Sequence, residues 1–265
     1  MAGNGPLLAS QRRAFILAEV SQRGGVRVAD LIATLNVSDV TIRRDLDALA
    51  RKGLVEKVHG GAVPVGAPSS HEPGFEAKSG WEPSAKDAIS RAAAALVRPE
   101  SAIALAAGTT TYALARQLVG VPGLTVVTNS VRIASVFEQA TPSAGGAGVT
   151  TVLTGGVRTP SDALVGPIAD LGIRSLHVDL LFIGCHGIGV SAGLTTPNLI
   201  EAETNRTFIR SARRVAVVAD HTKWNTVGLI SFAALDEVDV LVTDAVPPAD
   251  ADAVADRVGE LVITG

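Results

Sequence analysis

The sequence predicts two domains of different class: a small helical head carrying a short β wing, and a larger α/β body built on a mostly parallel sheet. Three observations carry this expectation. Helical periodicity occurs three times before residue 53. Seven apolar, β-rich runs alternate with helical stretches in the C-terminal two thirds. A stretch rich in Pro, Gly and Ser separates the two regions. At 265 residues the chain is long enough for two ordinary domains and a sizeable core.

In the head, RRAFILAEVSQRG is expected as a first helix that closes near Gly24 and Gly25. VADLIATL sets Val28, Leu31, Ile32 and Leu35 on one face of a second. After the short NVS link, DVTIRRDLDALARKG forms a third, with Ser38 as N-cap and Gly53 as its stop. LVEKVHGGAVPV then supplies two extended pieces around His59-Gly60-Gly61. That is the size and order of a winged helix-turn-helix over residues 1–64. Residues 65–84 have linker chemistry. From 85 to 265, IALAA, LTVVTN, TTVLTG, LLFIG, VAVVAD, VLVTD and LVITG are apolar on both faces. Such runs suit strands of a parallel sheet covered by helices.

Charge follows the same division. The whole chain carries −3, yet residues 1–65 carry +3 and the remainder −6, so the head alone is suited to a polyanionic partner. No apolar run reaches the roughly 20 residues of a membrane span. The N-terminus lacks the pattern of a signal peptide. The single cysteine, Cys185 in LLFIGCHG, excludes an intrachain disulfide, suits a reducing cytoplasm and reads as a buried, inert thiol. A cytoplasmic protein is expected, with no membrane partner, no cofactor, no metal and no catalytic residue.

The third helix is the most informative element of the head. At about 100° per residue, Ile42, Leu46 and Leu49 cluster on the core side, while Arg44 points about 200° from Ile42. The outward stripe near its start is Val40, Thr41 and Arg44, with Arg43 on the flank and Ser38 at the cap. An ordinary solvated helix face is the alternative. The helix before it and the basic wing after it (Lys57, His59) favour DNA: arginine pairs with guanine, and Val or Thr methyls meet thymine. The helix start and Arg43 suit phosphates.

In the body, three polar turns follow successive strands, where open α/β sheets place ligands. They are Gly108-Thr109-Thr110-Thr111, Thr128-Asn129-Ser130 and Gly155-Gly156. Glycine permits close backbone approach, hydroxyls donate, and helix starts favour anions, so together they form an expected phosphate cradle. Each alone also suits a merely structural turn. Lys223, in DHTKW, supplies a cation or is an exposed loop lysine.

VSDVTIRRDLDALARKGLVEKVHGGAV resembles the N-terminal signature of the DeoR family of bacterial transcription regulators, with Lys57 where the family usually has arginine. The resemblance continues through the body, whose family counterpart is similar to the ribose-5-phosphate isomerase fold and senses phosphorylated sugars or related metabolites. It implies that Gly108 to Thr111 and Thr128 to Ser130 hold a phosphate or polyol, with Asp220 and Lys223 nearby. It also implies a homo-oligomer, a dimer or tetramer, that binds double-stranded operator DNA and represses carbohydrate-metabolism genes. Three positions depart from the family pattern: Ala106 and His186 where aspartate is common, and Asn205 where lysine is usual. Losing two carboxylates and an amine changes which hydroxyls are read. It also weighs against the alternative, an isomerase-like sugar-phosphate enzyme with an autoregulatory head, which needs a positioned base such as Asp179 or Glu201. A body serving only as an oligomerisation scaffold is the third reading.

Overall fold

The computed structural model describes residues 8–23, 25–58, 61–64, 72, 74–140 and 148–265. The chain parts into two compact units, 1–83 and 84–265. In the first, α1 (Ala9–Arg23), β1 (Val26–Arg27), α2 (Val28–Leu35) and α3 (Asp39–Arg51) precede β2 (Val55–Val58) and β3 (Gly61–Pro64). Ile16 and Val20 of α1, Leu31 of α2, and Ile42, Leu46 and Leu49 of α3 meet in one core with Val26, Val55 and Ala62. Ser38 caps α3 by accepting from the Thr41 amide, and Gly53 takes φ +65° where the chain turns back. The wing is an antiparallel sheet in the order β1-β3-β2. Strand β1 is the element that periodicity missed, because two residues show no period; the buried Val26 ties it to the core.

A short helix, α4 (Phe75–Ser79), stands within the segment expected as linker, and α5 (Pro83–Ala94) begins before that segment ends. Phe75 is buried. Two isolated aromatics, Phe75 and Trp81, among Pro, Gly and Ser leave no helical pattern to read in the sequence.

The second unit continues through β4 (Ala102–Leu105), α6 (Thr109–Leu118), β5 (Thr125–Thr128), α7 (Val131–Glu138), β6 (Thr150–Leu153), β7 (Val157–Arg158), β8 (Leu164–Val165), α8 (Pro167–Arg174) and β9 (Leu180–Ile183). Then come β10 (Gly187–Gly189), β11 (Gly193–Thr196), α9 (Leu199–Ser211), β12 (Val215–Val218), β13 (Ile230–Ala233), β14 (Val240–Thr243), α10 (Ala251–Ala255) and β15 (Glu260–Ile263). Seven strands form one sheet in the order β15-β14-β12-β9-β4-β5-β6, and every neighbouring pair is parallel. These are the seven apolar runs of the sequence.

Alternate residues of the sheet feed two cores. Ile103, Leu105, Phe182 and Val218 meet Ile89 of α5, Leu114 of α6 and Ile133 of α7 on one face. Ala104, Leu181, Ile183 and Val217 meet Ile173 of α8, Phe208 of α9 and Val254 of α10 on the other. The β7–β8 hairpin and the antiparallel sheet β10-β11-β13 were not legible in the sequence. Their strands are two to four residues long, and two of them lie in the glycine-rich stretch GIGVSAGLTT.

Gly156 shows why the turn after β6 carries glycine. Its φ is +122°, and a Cβ there would lie 2.7 Å from the Val165 carbonyl oxygen. Gly156→Ala is therefore expected to destabilise the fold by at least about 1–3 kcal/mol from backbone strain alone. The urea midpoint of the full chain measures it; an unchanged midpoint would mean that this close approach is not maintained.

Candidate nucleic-acid face and anion cradle

Helix α3 presents its expected stripe outward. Val40 is 58% exposed and Arg44 is exposed, with no ion pair among the described residues. Thr41 is half-buried, and its hydroxyl lies 2.9 Å from that of Ser38, so the two support each other at the helix start. The neighbouring cations are not free: Arg43 Nε donates to Asp39 Oδ1 at 2.7 Å, one turn back, and Lys57 pairs with Asp47. The bond from Lys57 holds the Asp47 carboxyl below its usual pKa, helped by the fields of Lys57, Arg51 and Arg43. Exposed pairs of this kind are worth little and open readily toward phosphate. His59 lies outside the described residues.

Sequence reasoning overlooked Asp45. It is buried on the apolar stripe of α3 and forms ion pairs with Arg12 and Arg13 of α1, so that α1 and α3 are joined by charge as well as by packing. An acid at the same helical phase as Ile42 and Leu49 was the signal.

In the body, the predicted turns stand at the C-terminal rim of the parallel sheet. Asn129, buried after β5, accepts from the Ala107 amide through Oδ1 at 2.8 Å and donates through Nδ2 to the Leu164 carbonyl at 3.0 Å. The Leu164 amide returns to the Asn129 carbonyl at 2.8 Å. The Thr128 hydroxyl donates to Leu105 O at 2.7 Å, and Ser130 Oγ caps α7 by accepting from the Ile133 amide at 3.3 Å. These three side chains thus brace the rim.

The first turn is different. Gly108 precedes α6 without any side-chain cap, and Thr111 returns its hydroxyl to the Gly108 carbonyl at 3.0 Å. The opening amides of α6 are thereby left to solvent or to an anion. Gly108 has extended backbone, so its glycine is a matter of space: a Cβ would sit 3.1 Å from Thr111 Oγ1. Thr109 is half-buried beside the buried Thr110. Gly155, at φ +72°, lies under Ile168 of α8, and Gly156 serves the close approach to β8.

Asp220 follows β12, on the same rim as Gly108 but separated from β4 by β9. It is fully buried; Oδ1 accepts from the Thr222 amide at 3.1 Å, while Oδ2 is buried without a hydrogen-bond partner. Burial pushes its pKa up, yet the charges of Lys223 and Lys86 and the bonds from Thr222 outweigh that and hold it below the usual 3.8. Lys86 is the residue that sequence reasoning missed here. It is only 4% exposed, on the face of α5 that carries Ile89 and Ala93, a cation at apolar phase.

The departing positions are placed as follows. Ala106 is buried and donates its amide to Phe182 O at 3.0 Å, His186 is half-buried, and Asn205 is buried on α9. Cys185 is half-buried against the core. Glu201 accepts from Ser161 Oγ at 3.1 Å.

With this geometry in hand, comparison with known proteins is decisive. The DeoR C terminal sensor domain matches residues 81–245, and the DeoR-like helix-turn-helix domain matches residues 12–65. The chain belongs to the DeoR family. It is 33% identical over 243 residues to the putative aga operon transcriptional repressor of Escherichia coli O157:H7, covering 91% of this chain and 88% of that one. It is 34% identical over 260 residues to the HTH-type transcriptional regulator GlpR of Haloferax volcanii, covering 98% and 99%. A ribose 5-phosphate isomerase from Methanocaldococcus jannaschii aligns with 55% of this chain and 56% of its own at 15% identity, with a TM-score of 0.39. This DeoR-family chain is a transcriptional regulator with a DNA-binding head and an effector-sensing body; the enzyme alternative finds no support among these relatives. No helix among the described residues is long and apolar enough to cross a membrane.

Asp220 generates a pH prediction. Its folded pKa is depressed, so its stabilising contribution is complete above the ordinary 3.8 and is lost as pH falls through the lower folded value. Unfolding free energy is expected to fall with pH below 3.8, and Asp220→Asn to remove part of that slope. Identical acid limbs for the two proteins, followed by circular dichroism, would contradict it.

Proposed function

We propose that this DeoR-family regulator is a repressor of carbohydrate-metabolism genes, that it works as a homo-oligomer, and that its effector is a phosphorylated sugar. In this reading the head, residues 1–64, docks α3 in the major groove, where Arg44 reads a base edge with Val40 and Thr41 beside it. Ser38, Arg43 and the wing residues Lys57 and His59 hold the phosphate backbone. The body, residues 85–265, binds the effector and assembles the oligomer. A single head buries too little surface for tight specific binding, so paired heads on repeated half-sites are required. The relative named as a repressor of the aga operon supports the repressing sign.

The observation that carries the effector assignment is the conjunction of uncapped amides at the start of α6 with a cation pair on the same rim. Gly108 to Thr111 offer backbone N–H groups to a phosphate, and Lys223 and Lys86 bring positive charge around the buried Asp220. Thr128, Asn129 and Ser130, with the Gly155-Gly156 turn, hold that rim in shape. The effector acts by binding one arrangement of the heads better than another, and a difference of about 1.4 kcal/mol changes operator affinity about tenfold.

Two measurements test these roles. With duplex from upstream of the protein's own gene and random duplex as competitor, Arg44→Ala is expected to cost about 1–3 kcal/mol on the specific site and little elsewhere. Equal loss on both duplexes would contradict base reading by Arg44. In thermal shift assays, phosphorylated pentoses and hexoses are expected to raise the melting temperature of the wild type, and Lys223→Gln to abolish the rise. A rise retained in full by Lys223→Gln would remove that lysine from the site.

A further inference from the structure

We propose that the groove between α1 and α3 is a dedicated seat for one backbone phosphate of the DNA, which makes α1 a second DNA-contacting element with Asp45 as its positioning residue. This rests on the operator-binding role of α3. The groove has a volume of about 420 Å³ and is lined by Arg12 and Arg13 of α1 and by Arg44, Asp45 and Arg51 of α3. Four guanidinium groups thus face a single carboxylate.

The sequence and the geometry together explain why this space exists and what it fits. Ala9 and Ala48 are small enough to leave it open between the helices. Asp45 is buried, and it fixes Arg12 and Arg13 from inside the head, with Arg13 Nε 3.3 Å from Asp45 Oδ1. Arg13 Nε also donates to Ala9 O at 3.0 Å. The single Nε–H is thereby taken up, and its two terminal Nη groups make no hydrogen bond among the described residues. Such a pair of N–H donors, held in place by a buried acid, is the fork that recognises a phosphate bidentately.

The remaining cations lie on the recognition stripe. Arg44 and Arg51 make no ion pair among the described residues, and they line the groove together with Thr41 of the base-reading stripe. The groove consequently opens on the side from which DNA approaches. The opposite flank of α3 differs: Arg43 and Lys57 are each neutralised by an exposed acid, Asp39 and Asp47. Among the described residues of α3, the arginines without an ion pair, Arg44 and Arg51, line the α1 side, and that asymmetry points to a ligand carrying negative charge there.

The test uses the full chain, fluorescence anisotropy, and both specific and random duplex over a range of salt. Arg51→Gln breaks no ion pair and is expected to weaken binding to both duplexes by a similar factor. It is also expected to reduce the slope of log K against log salt by about 0.9, the value for one phosphate contact. Arg13→Gln is expected to do the same, and the double variant to lose little further slope because both arginines serve one phosphate. Unchanged affinity and slope in Arg51→Gln would overturn the proposal, whatever the folding of Arg13→Gln. Loss on the specific duplex alone would assign Arg51 to base reading and overturn it as well. Wild-type protein that prefers no duplex would instead overturn the operator-binding reading beneath it.

Discussion

The side chain of Asn129 is the contact on which the candidate effector site depends. One amide group ties the chain leaving β4 to the chain entering β8, and its own backbone closes the link from β5. Asn129 itself is buried, where a hydrogen bond left unmade costs more than one formed contributes. These bonds brace the rim of the sheet, and the start of α6 beside it has no side-chain cap. Preorganised amides are what an anion requires, because no ordering cost is then deducted from its binding. The charges of Lys223 and Lys86, with the bonds from Thr222, draw the buried Asp220 below its usual pKa.

The head follows the same logic with different residues. Its apolar core is ordinary, but a buried Asp45 joins α1 to α3 through Arg12 and Arg13. A buried acid of this kind stabilises only while its partners remain, and removing one of them is costly. It fixes the orientation of the helix whose outer stripe carries Val40, Thr41 and Arg44. In both units a buried carboxylate lies among cations that come from distant parts of the chain.

Much of this was legible in the sequence, for identifiable reasons. The central strands of the parallel sheet are apolar runs buried on both faces, so composition alone marks them, and α3 has the cap, stripe and stop of a well-defined helix. Strands β7, β8, β10 and β11 are short and partly glycine-rich, and they left no period to find. The turns were legible, but the bonds of Thr128 to the end of β4, and of Asn129 to the turn after β4 and to β8, were not. Lys86 and Asp45 escaped notice because a lone charge at apolar phase looks like noise in a hydrophobic pattern. In each case the charge is buried because it has a partner distant in the chain, which periodicity does not register.

The most direct test of the whole account is to titrate the preformed complex of full-length protein and labelled operator with a panel of pentose, hexose and polyol phosphates at fixed salt. The account predicts that one compound class shifts operator affinity about tenfold or more, while the corresponding unphosphorylated sugars do not. Operator affinity unmoved by every phosphorylated compound would contradict the assignment of the rim at Gly108 to Thr111, Lys86 and Lys223 as the effector site.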